Sequence, residues 1–216
     1  MKSLFAAGAL IFAAALPALS HGEPSWRDFK GVANTSFVEP GGDRAIQLSI
    51  DVAASPQAVF DAFTTSEGYT SWATPVAHVN LRIGGIIETS YDAAARIGDP
   101  GNIKNEIIAY LPGRLLVIRN VQAPADFADP RLFGHTVTII ELAPIAGGGT
   151  RVTLTNAGYG PGEAYKTLYG HFEWGDAYSL AELRKRFERG PVDWAAQAAK
   201  EKARRAARRV EGAATR

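Results

Sequence analysis

Hydrophobic and polar positions alternate along one stretch of the chain and then recur at helical spacing in the next. The alternating apolar residues are Ile46, Leu48, Ile50 and Val52. This period of two predicts a strand with one buried face. Ser55 follows as a helix N-cap with Pro56 at the first helical position. Val59, Phe60 and Phe63 give that helix an apolar face, and a short second helix is predicted from Ser66 to near Trp72.

Three pairs of apolar segments, each joined by a glycine-containing turn, predict three β-hairpins. They are 76–83 with 86–91, 102–111 with 114–121, and 134–143 with 150–156. Between the second and third hairpins, residues 122–133 contain two prolines and two aspartates and are predicted to form a long loop. A long helix is predicted at Glu163–Arg189, and Gly190-Pro191 ends it.

Consecutive hairpins build an antiparallel sheet, and a sheet with one apolar face needs a cover. The helix at 163–189 is the only predicted element large enough to cover it. The pattern therefore predicts an α+β domain at 44–190.

The two ends of the chain have different patterns. Lys2, the apolar run from Leu4 to Leu16, and Ala18-Leu19-Ser20 are typical of a secretory signal peptide at 1–20 with cleavage before His21. We therefore expect a periplasmic or secreted protein. Residues 21–43 are predicted to be an arm without firm structure, and 191–216 a basic, Ala-rich helix or tail.

Charge narrows the choice of partners. The net charge is +1 over 216 residues, so the chain as a whole is not built for a polyanion, and no nucleic acid is expected. The basic tail makes an anionic membrane surface a candidate partner. The oligomeric state is left open.

Several motifs of the chain resemble the START-like, or SRPBCC, superfamily, and most closely its activator of heat shock protein 90 ATPase homologue family. The motifs are the segment 55–63, Trp72, Leu81-Arg82-Ile83-Gly84-Gly85, Pro112 with Leu115, the segment 149–155 with Gly158-Tyr159, and Trp174. They occur in the same order over about residues 44–189. The resemblance implies a helix-grip fold, in which a curved antiparallel sheet of about seven strands holds the C-terminal helix over an apolar cavity.

The resemblance also implies three kinds of function. The first is a non-catalytic carrier or sensor of a hydrophobic, lipid-like or polyketide-like molecule. The second is an enzyme of the polyketide cyclase or dehydratase kind, with Glu106, His135 or Tyr91 as acid or base. The third is a cochaperone-like interaction module.

No catalytic constellation, metal site or cofactor is predicted from the residues. The chain has no cysteine, and its four histidines are not spaced as ligands of one metal. The motifs of zinc proteases and of serine hydrolases are also absent.

One charged pair is the most specific candidate for a polar contact. A two-residue turn at Pro112-Gly113 would place Glu106 opposite Arg119, Tyr110 opposite Leu115 and Ile108 opposite Val117. The apolar residues on that face suggest that it looks toward the core, where the ion pair would orient the polar end of a ligand. The alternative is an exposed salt bridge.

The other candidate ligand-binding residues are aromatic or lie near the predicted loop. A two-residue turn at Gly84-Gly85 would place Val79 opposite Ser90 and His78 opposite Tyr91. Tyr91 would line the cavity or form a structural pair. His135 would lie at the cavity mouth or on the surface. The aromatic candidates, which would line the cavity or fill the core, are Trp72, Phe172 and Trp174.

Overall fold

A computed structural model describes residues 25–124, 127 and 130–214, with side chains up to Arg204. The predicted export signal lies outside the described residues. The strands are β1 (Ala33–Asn34), β2 (Phe37–Val38), β3 (Arg44–Val52), β4 (Val76–Val79), β5 (Ile86–Ser90), β6 (Ile103–Leu111), β7 (Leu115–Gln122), β8 (Val137–Pro144) and β9 (Thr150–Tyr159). The helices are α1 (Pro56–Thr64), α2 (Ser66–Thr70), α3 (Pro130–His135), α4 (Glu163–Arg189) and α5 (Trp194–Ala214).

The strands form one antiparallel sheet in the order β1-β3-β9-β8-β7-β6-β5-β4, with β2 also paired to β3. Alternate residues of β3 and of β6 to β8 are buried on one face of the sheet, which we call the inner face. Helix α4 packs against β3 and β9. This arrangement confirms the predicted α+β helix-grip fold.

The ends of α1 and α4 follow the predicted capping chemistry. The Ser55 hydroxyl accepts a hydrogen bond from the Ala58 backbone N–H, with Pro56 at the first helical position. Helix α4 spans the predicted residues and ends at Gly190, whose φ of 90° lies in the left-handed region.

The expectation of an arm without firm structure is wrong for the described part of 21–43. A 3-10 turn at Trp26–Asp28 precedes β1 and β2, which pair with β3 and bring the sheet to nine strands among the described residues. The Phe29 ring contacts the rings of Trp174 and Tyr178 at centroid distances of 5.7 and 5.9 Å. Aromatic packing against α4 therefore orders a segment whose polar composition suggested a loop.

The predicted register of the first hairpin is also wrong. Val79 lies opposite Ile87, and His78 lies opposite Glu88. Strand β4 ends at Val79 because the Gly84-Gly85 segment pairs with the next strand instead: the Gly84 N–H donates to the Ile107 carbonyl, and the Ile107 N–H to the Gly85 carbonyl, both at 2.8 Å.

The second hairpin has a three-residue connection, so Leu111 pairs with Leu115, and Tyr110 pairs with Leu116 rather than with Leu115. A bulge between Ile107 and Ala109 takes up one residue, so Val117 lies opposite Ala109 rather than Ile108. Beyond the bulge the register returns to the predicted one. Glu106 is therefore opposite Arg119, as predicted.

The segment predicted as a loop before the third hairpin contains a helix. Residues Pro130–His135 form α3, so β8 begins at Val137 and not at residue 134. The buried Phe133 ring explains why this segment is ordered, because it stacks on Phe127 and packs at a tilt on Phe172, both at a centroid distance of 5.0 Å.

The basic tail is helical, as predicted from its alanines and cations. The indole N–H of Trp194 donates to the Thr70 carbonyl at 2.6 Å, and the Val192 N–H donates to the Ser71 carbonyl at 2.8 Å. These bonds hold the start of α5 against α2, while residues 195–200 are exposed. Across the described residues, no helix is long and apolar enough to cross a membrane.

Candidate functional site

Four polar side chains interrupt the apolar inner face of the sheet, one on each of the neighbouring strands β6 to β9. They are Asn105, Asn120, Thr138 and Asn156, and all four are buried. Asn105 is the cross-strand partner of Asn120, and Thr138 is the partner of Asn156. We call these four residues the inner polar row.

Hydrogen bonding within the inner polar row is incomplete. The Asn120 amide nitrogen donates to the Asn105 side-chain oxygen at 3.1 Å and to two backbone carbonyls. The Asn105 amide nitrogen and the Thr138 hydroxyl have no hydrogen-bond partner among the described residues. Leaving such a group unpaired in the interior costs about 1–3 kcal/mol. The unpaired atoms therefore mark a place where a further polar molecule would be stabilised.

Asp176, on α4, lies beside the inner polar row and is fully buried. Burial raises the pKa of its carboxyl to about 8, although a hydrogen bond with the Asn156 side chain offsets part of the rise by favouring the charged form. Apart from this contact with Asn156, the carboxyl has no hydrogen-bond partner within the part of the chain that the structure describes. At neutral pH the group is therefore mostly a protonated carboxyl, able to donate one hydrogen bond and to accept others.

Tyr159, at the end of β9, brings a phenol next to this acid. Burial raises the pKa of the Tyr159 hydroxyl well above its ordinary value, and the charge of Asp176 would raise it further. The phenol therefore stays protonated, and its hydroxyl too lacks a hydrogen-bond partner among the described residues. Its ring packs edge to face on Tyr169 at 5.3 Å and lies 6.3 Å from the ring of Phe172.

Aromatic rings pack near the Tyr159 phenol. The Phe172 ring contacts Phe133, and Phe133 in turn stacks on Phe127. A mainly apolar enclosure with a few convergent polar groups is the usual form of a small-molecule site. In the described part of the chain, no three His, Asp or Glu side chains are placed to hold a metal ion.

The predicted ion pair is not part of this enclosure. Glu106 and Arg119 approach to 3.3 Å on the outer face of the sheet, with side chains 32% and 47% exposed. The expectation that their face looks toward the core is wrong, because the buried residues of β6 are the alternate ones, Ile103, Asn105 and Ile107. The pair is the exposed salt bridge of the alternative interpretation, and such pairs contribute about 0–1 kcal/mol.

The aromatic candidates from the sequence occupy different places. Phe172 is buried beside Tyr159 and belongs to the enclosure. Trp72 is buried in the core, where its indole N–H donates to the Ala62 carbonyl at 2.9 Å. Trp174 is half-buried and stacks on Tyr178 at 5.5 Å, under the N-terminal arm.

The two remaining candidates lie outside the inner polar row. Tyr91 follows β5, where it is half-buried against the core. His135 is exposed at the end of α3. The structure thus brings Phe172 to the buried acid and places the other six candidates elsewhere.

Sequence reasoning missed Asp176, Asn156 and Thr138, although the pattern carried a signal. Asn156 continues the buried alternation of Val152 and Leu154. Asp176 lies four residues after Phe172 and four before Leu180, on the apolar face of the long helix. A polar residue at a position where the period demands an apolar one is a candidate for a special role.

Solved structures share the fold. The Aha1 dimer from Colwellia psychrerythraea matches with a TM-score of 0.54 at 18% identity, over 68% of this chain and 97% of that one. The protein MLL2253 from Mesorhizobium loti gives 0.54 at 19%, over 69% and 100%. CalU16 from Micromonospora echinospora gives 0.52 at 20%, over 76% and 88%. At these identities the likeness concerns the fold alone.

Among curated proteins, no sequence matches the chain. A family model described as "Activator of Hsp90 ATPase homolog 1-like protein" matches residues 53–188, which is more than half of the chain. The match spans the segments that carry the sequence resemblance, from α1 to nearly the end of α4. The chain therefore belongs to the family of activator of Hsp90 ATPase homolog 1-like proteins.

Proposed function

We propose that this domain binds a hydrophobic small molecule between the inner face of the sheet and α4, as a non-catalytic carrier or sensor. The observation that supports this most directly is the set of buried polar atoms without a hydrogen-bond partner at Asn105, Thr138 and Tyr159, close to the buried acid Asp176. A ligand with an apolar body and a polar end would bury its body among the rings and pair these atoms.

The neutral dye N-phenylnaphthylamine, which fluoresces in apolar surroundings, tests this proposal. We expect it to saturate at about one site per chain and to slow amide exchange in β8, β9 and α4. Val117→Ser is a matched control, because Val117 is half-buried on the outer face. Loss of dye binding in this variant, or exchange protection confined to the outer face, would overturn the proposal.

A second candidate function, an enzyme on the same fold, is favoured by one observation. Asp176 and Tyr159 are two ionisable groups buried together, and both are protonated near pH 7. They replace Glu106, His135 and Tyr91 as the side chains best placed to donate a proton inside the domain. A bound compound that changes mass on the protein would favour this candidate over a carrier.

The basic helix supports a further part of the proposal, namely that the carrier works at an anionic membrane surface. Lys200, Lys202 and Arg204 lie on α5 beyond the point where Trp194 is held by α2. Each cation near an anionic surface contributes about 1 kcal/mol of attraction. A location outside the cytoplasm stays a prediction of the sequence.

Vesicle sedimentation tests the membrane contact. We expect binding to phosphatidylglycerol vesicles, loss of binding at high salt, and no binding to pure phosphatidylcholine. Replacing Lys200, Lys202 and Arg204 by Gln should weaken the binding. Equal binding to both vesicle types, or no effect of the replacements, would contradict this part of the proposal.

A further inference from the structure

We propose that the N-terminal arm is a strap that holds α4 on the sheet and governs how often α4 lifts from the inner face. The described part of the arm, residues 25–43, contacts both layers of the domain, with β3 on one side and α4 on the other. The region matched by the family model begins at residue 53, so the arm lies outside it. Such a strap would operate whether or not the interior binds a ligand.

Hydrogen bonds fasten the arm to the sheet. Its two short strands, Ala33–Asn34 and Phe37–Val38, both pair with β3. Between them, the Thr35 N–H donates to the Gln47 carbonyl at 2.9 Å, and the Gln47 N–H donates to the Ser36 hydroxyl at 3.1 Å. This end of the arm is therefore built into the sheet.

A second set of contacts fastens the arm to α4. The Phe29 ring packs edge to face on the rings of Trp174 and Tyr178. The Asn34 side-chain amide donates to a Glu173 carboxylate oxygen at 2.9 Å. Edge-to-face aromatic packing and a hydrogen bond to a carboxylate together give the arm a specific seat on the helix.

The position of Trp174 on its helix shows how the arm restrains α4. Residues two apart on an α-helix point about 200° apart, so Trp174 points to the side opposite Phe172 and Asp176. Those two residues are buried, and Phe29 contacts the helix on the other side. Because the arm is also built into β3, α4 cannot move away from the sheet unless the arm's contacts with α4 or with β3 break.

The strap is weaker than the layers that it joins. Its strands β1 and β2 are two residues long, whereas β3 pairs with β9 from Arg44 to Val52. Segments with few contacts open before the rest of a fold does. Release of the arm would therefore precede full unfolding, and since α4 covers the inner face, it would set how often the interior is exposed.

Native-state hydrogen exchange of the full chain at a series of low denaturant concentrations tests the strap. We expect the α4 amides at 172–183 to exchange through an opening that depends less on denaturant than that of the β6 and β7 amides, which marks partial unfolding. Phe29→Ala should speed exchange through this opening about tenfold, the effect of losing an aromatic contact. Val38→Ala, on the same arm but with its side chain 64% exposed, is the control and should change it about twofold at most.

A second variant covers the case in which Phe29→Ala does not fold. Glu173→Ala removes the acceptor of the Asn34 bond from the helix side and should speed the same opening about fivefold.

Two results would overturn the inference. If α4 exchanges only together with β6 and β7, with the full dependence on denaturant, then α4 does not open separately and the arm adds only to overall stability. If both variants leave α4 exchange unchanged, then α4 opens with the arm in place. No ligand is present in these measurements, so a failure of dye binding would count against the proposed function and not against the strap.

Discussion

Asp176 shows how a single residue can depart from the pattern that built its helix. The neighbouring positions 172, 180 and 183 on the same face of α4 carry Phe, Leu and Leu, all buried. An acid there gains nothing from packing and loses its hydration. It is accommodated because burial raises its pKa to about 8, so that the folded protein holds it mostly protonated at neutral pH.

This raised pKa predicts a specific dependence of stability on pH. In the unfolded chain the carboxyl ionises near its ordinary pKa of 3.8, whereas in the folded protein it keeps its proton up to about pH 8. Between these values the folded state binds more protons, so the free energy of unfolding falls as pH rises from 4 toward 8. Tyr159, the titratable group coupled to Asp176, stays protonated throughout this range.

Asp176→Asn should remove that dependence. The free energy of unfolding of the variant, relative to that of the original protein, should rise by roughly 2–4 kcal/mol as the pH is raised from 5 to 8. Denaturant unfolding at a series of pH values measures the difference, and contributions of other groups cancel in the comparison. Asp51→Asn, at an exposed salt bridge with Arg151, is the control and should show no such gain. Parallel curves for Asp176→Asn and the original protein would contradict the raised pKa.

At the scale of elements, the Gly84-Gly85 segment accounts for the wrong register predicted for the first hairpin. The Gly85 backbone lies very close to that of Asn80, so a Cβ added at Gly85 would come within 2.0 Å of the Asn80 carbonyl oxygen. The turn is tight because the Gly84-Gly85 segment also makes backbone hydrogen bonds with β6. The glycine is therefore needed for a close backbone approach and not for a two-residue hairpin turn.

Gly85→Ala should accordingly destabilise the protein by more than about 1 kcal/mol, since the contact is with backbone that cannot move freely. Gly41→Ala is the matched control, because a Cβ there meets nothing within 4 Å. Thermal and denaturant unfolding of the two variants provide the comparison. A Gly85→Ala protein as stable as the Gly41→Ala protein would show that the turn is not constrained in this way.

Local signals in the sequence were sufficient for some elements and not for others. The strand β3, the cap of α1 and both ends of α4 follow from periodicity and end residues such as Ser55 and Gly190. The register near Gly84 and the helix at Pro130 depend on contacts with β6 and with Phe172, which are distant in the chain. Periodicity within one segment carries no information about such contacts.

The same distinction applies to the candidate site. The pair Glu106 and Arg119 was found because turn geometry sets which residues face each other, but the turn does not say which face is buried. The inner polar row joins four strands, and Asp176 lies on a helix, so no single segment reveals the site. Its members are visible in the sequence only as polar residues at buried positions.

At the scale of the whole molecule, the outer and inner faces of the sheet have different roles. The outer face carries exposed ion pairs, whereas the inner face and α4 enclose the rings and the unpaired polar atoms. The arm packs on α4 through Phe29, and α5, a basic helix, is held at its start against α2. These features are the ones on which the proposed carrier function rests.

Native mass spectrometry of the protein purified from the cells that make it, followed by solvent extraction of any bound compound, tests the carrier proposal most directly. We expect one hydrophobic compound per chain, of defined mass and unchanged after prolonged incubation. A compound that changes mass on the protein would shift the assignment to the enzyme. A protein that carries no compound and takes up none from a lipid and polyketide panel would contradict the carrier proposal and favour an interaction module.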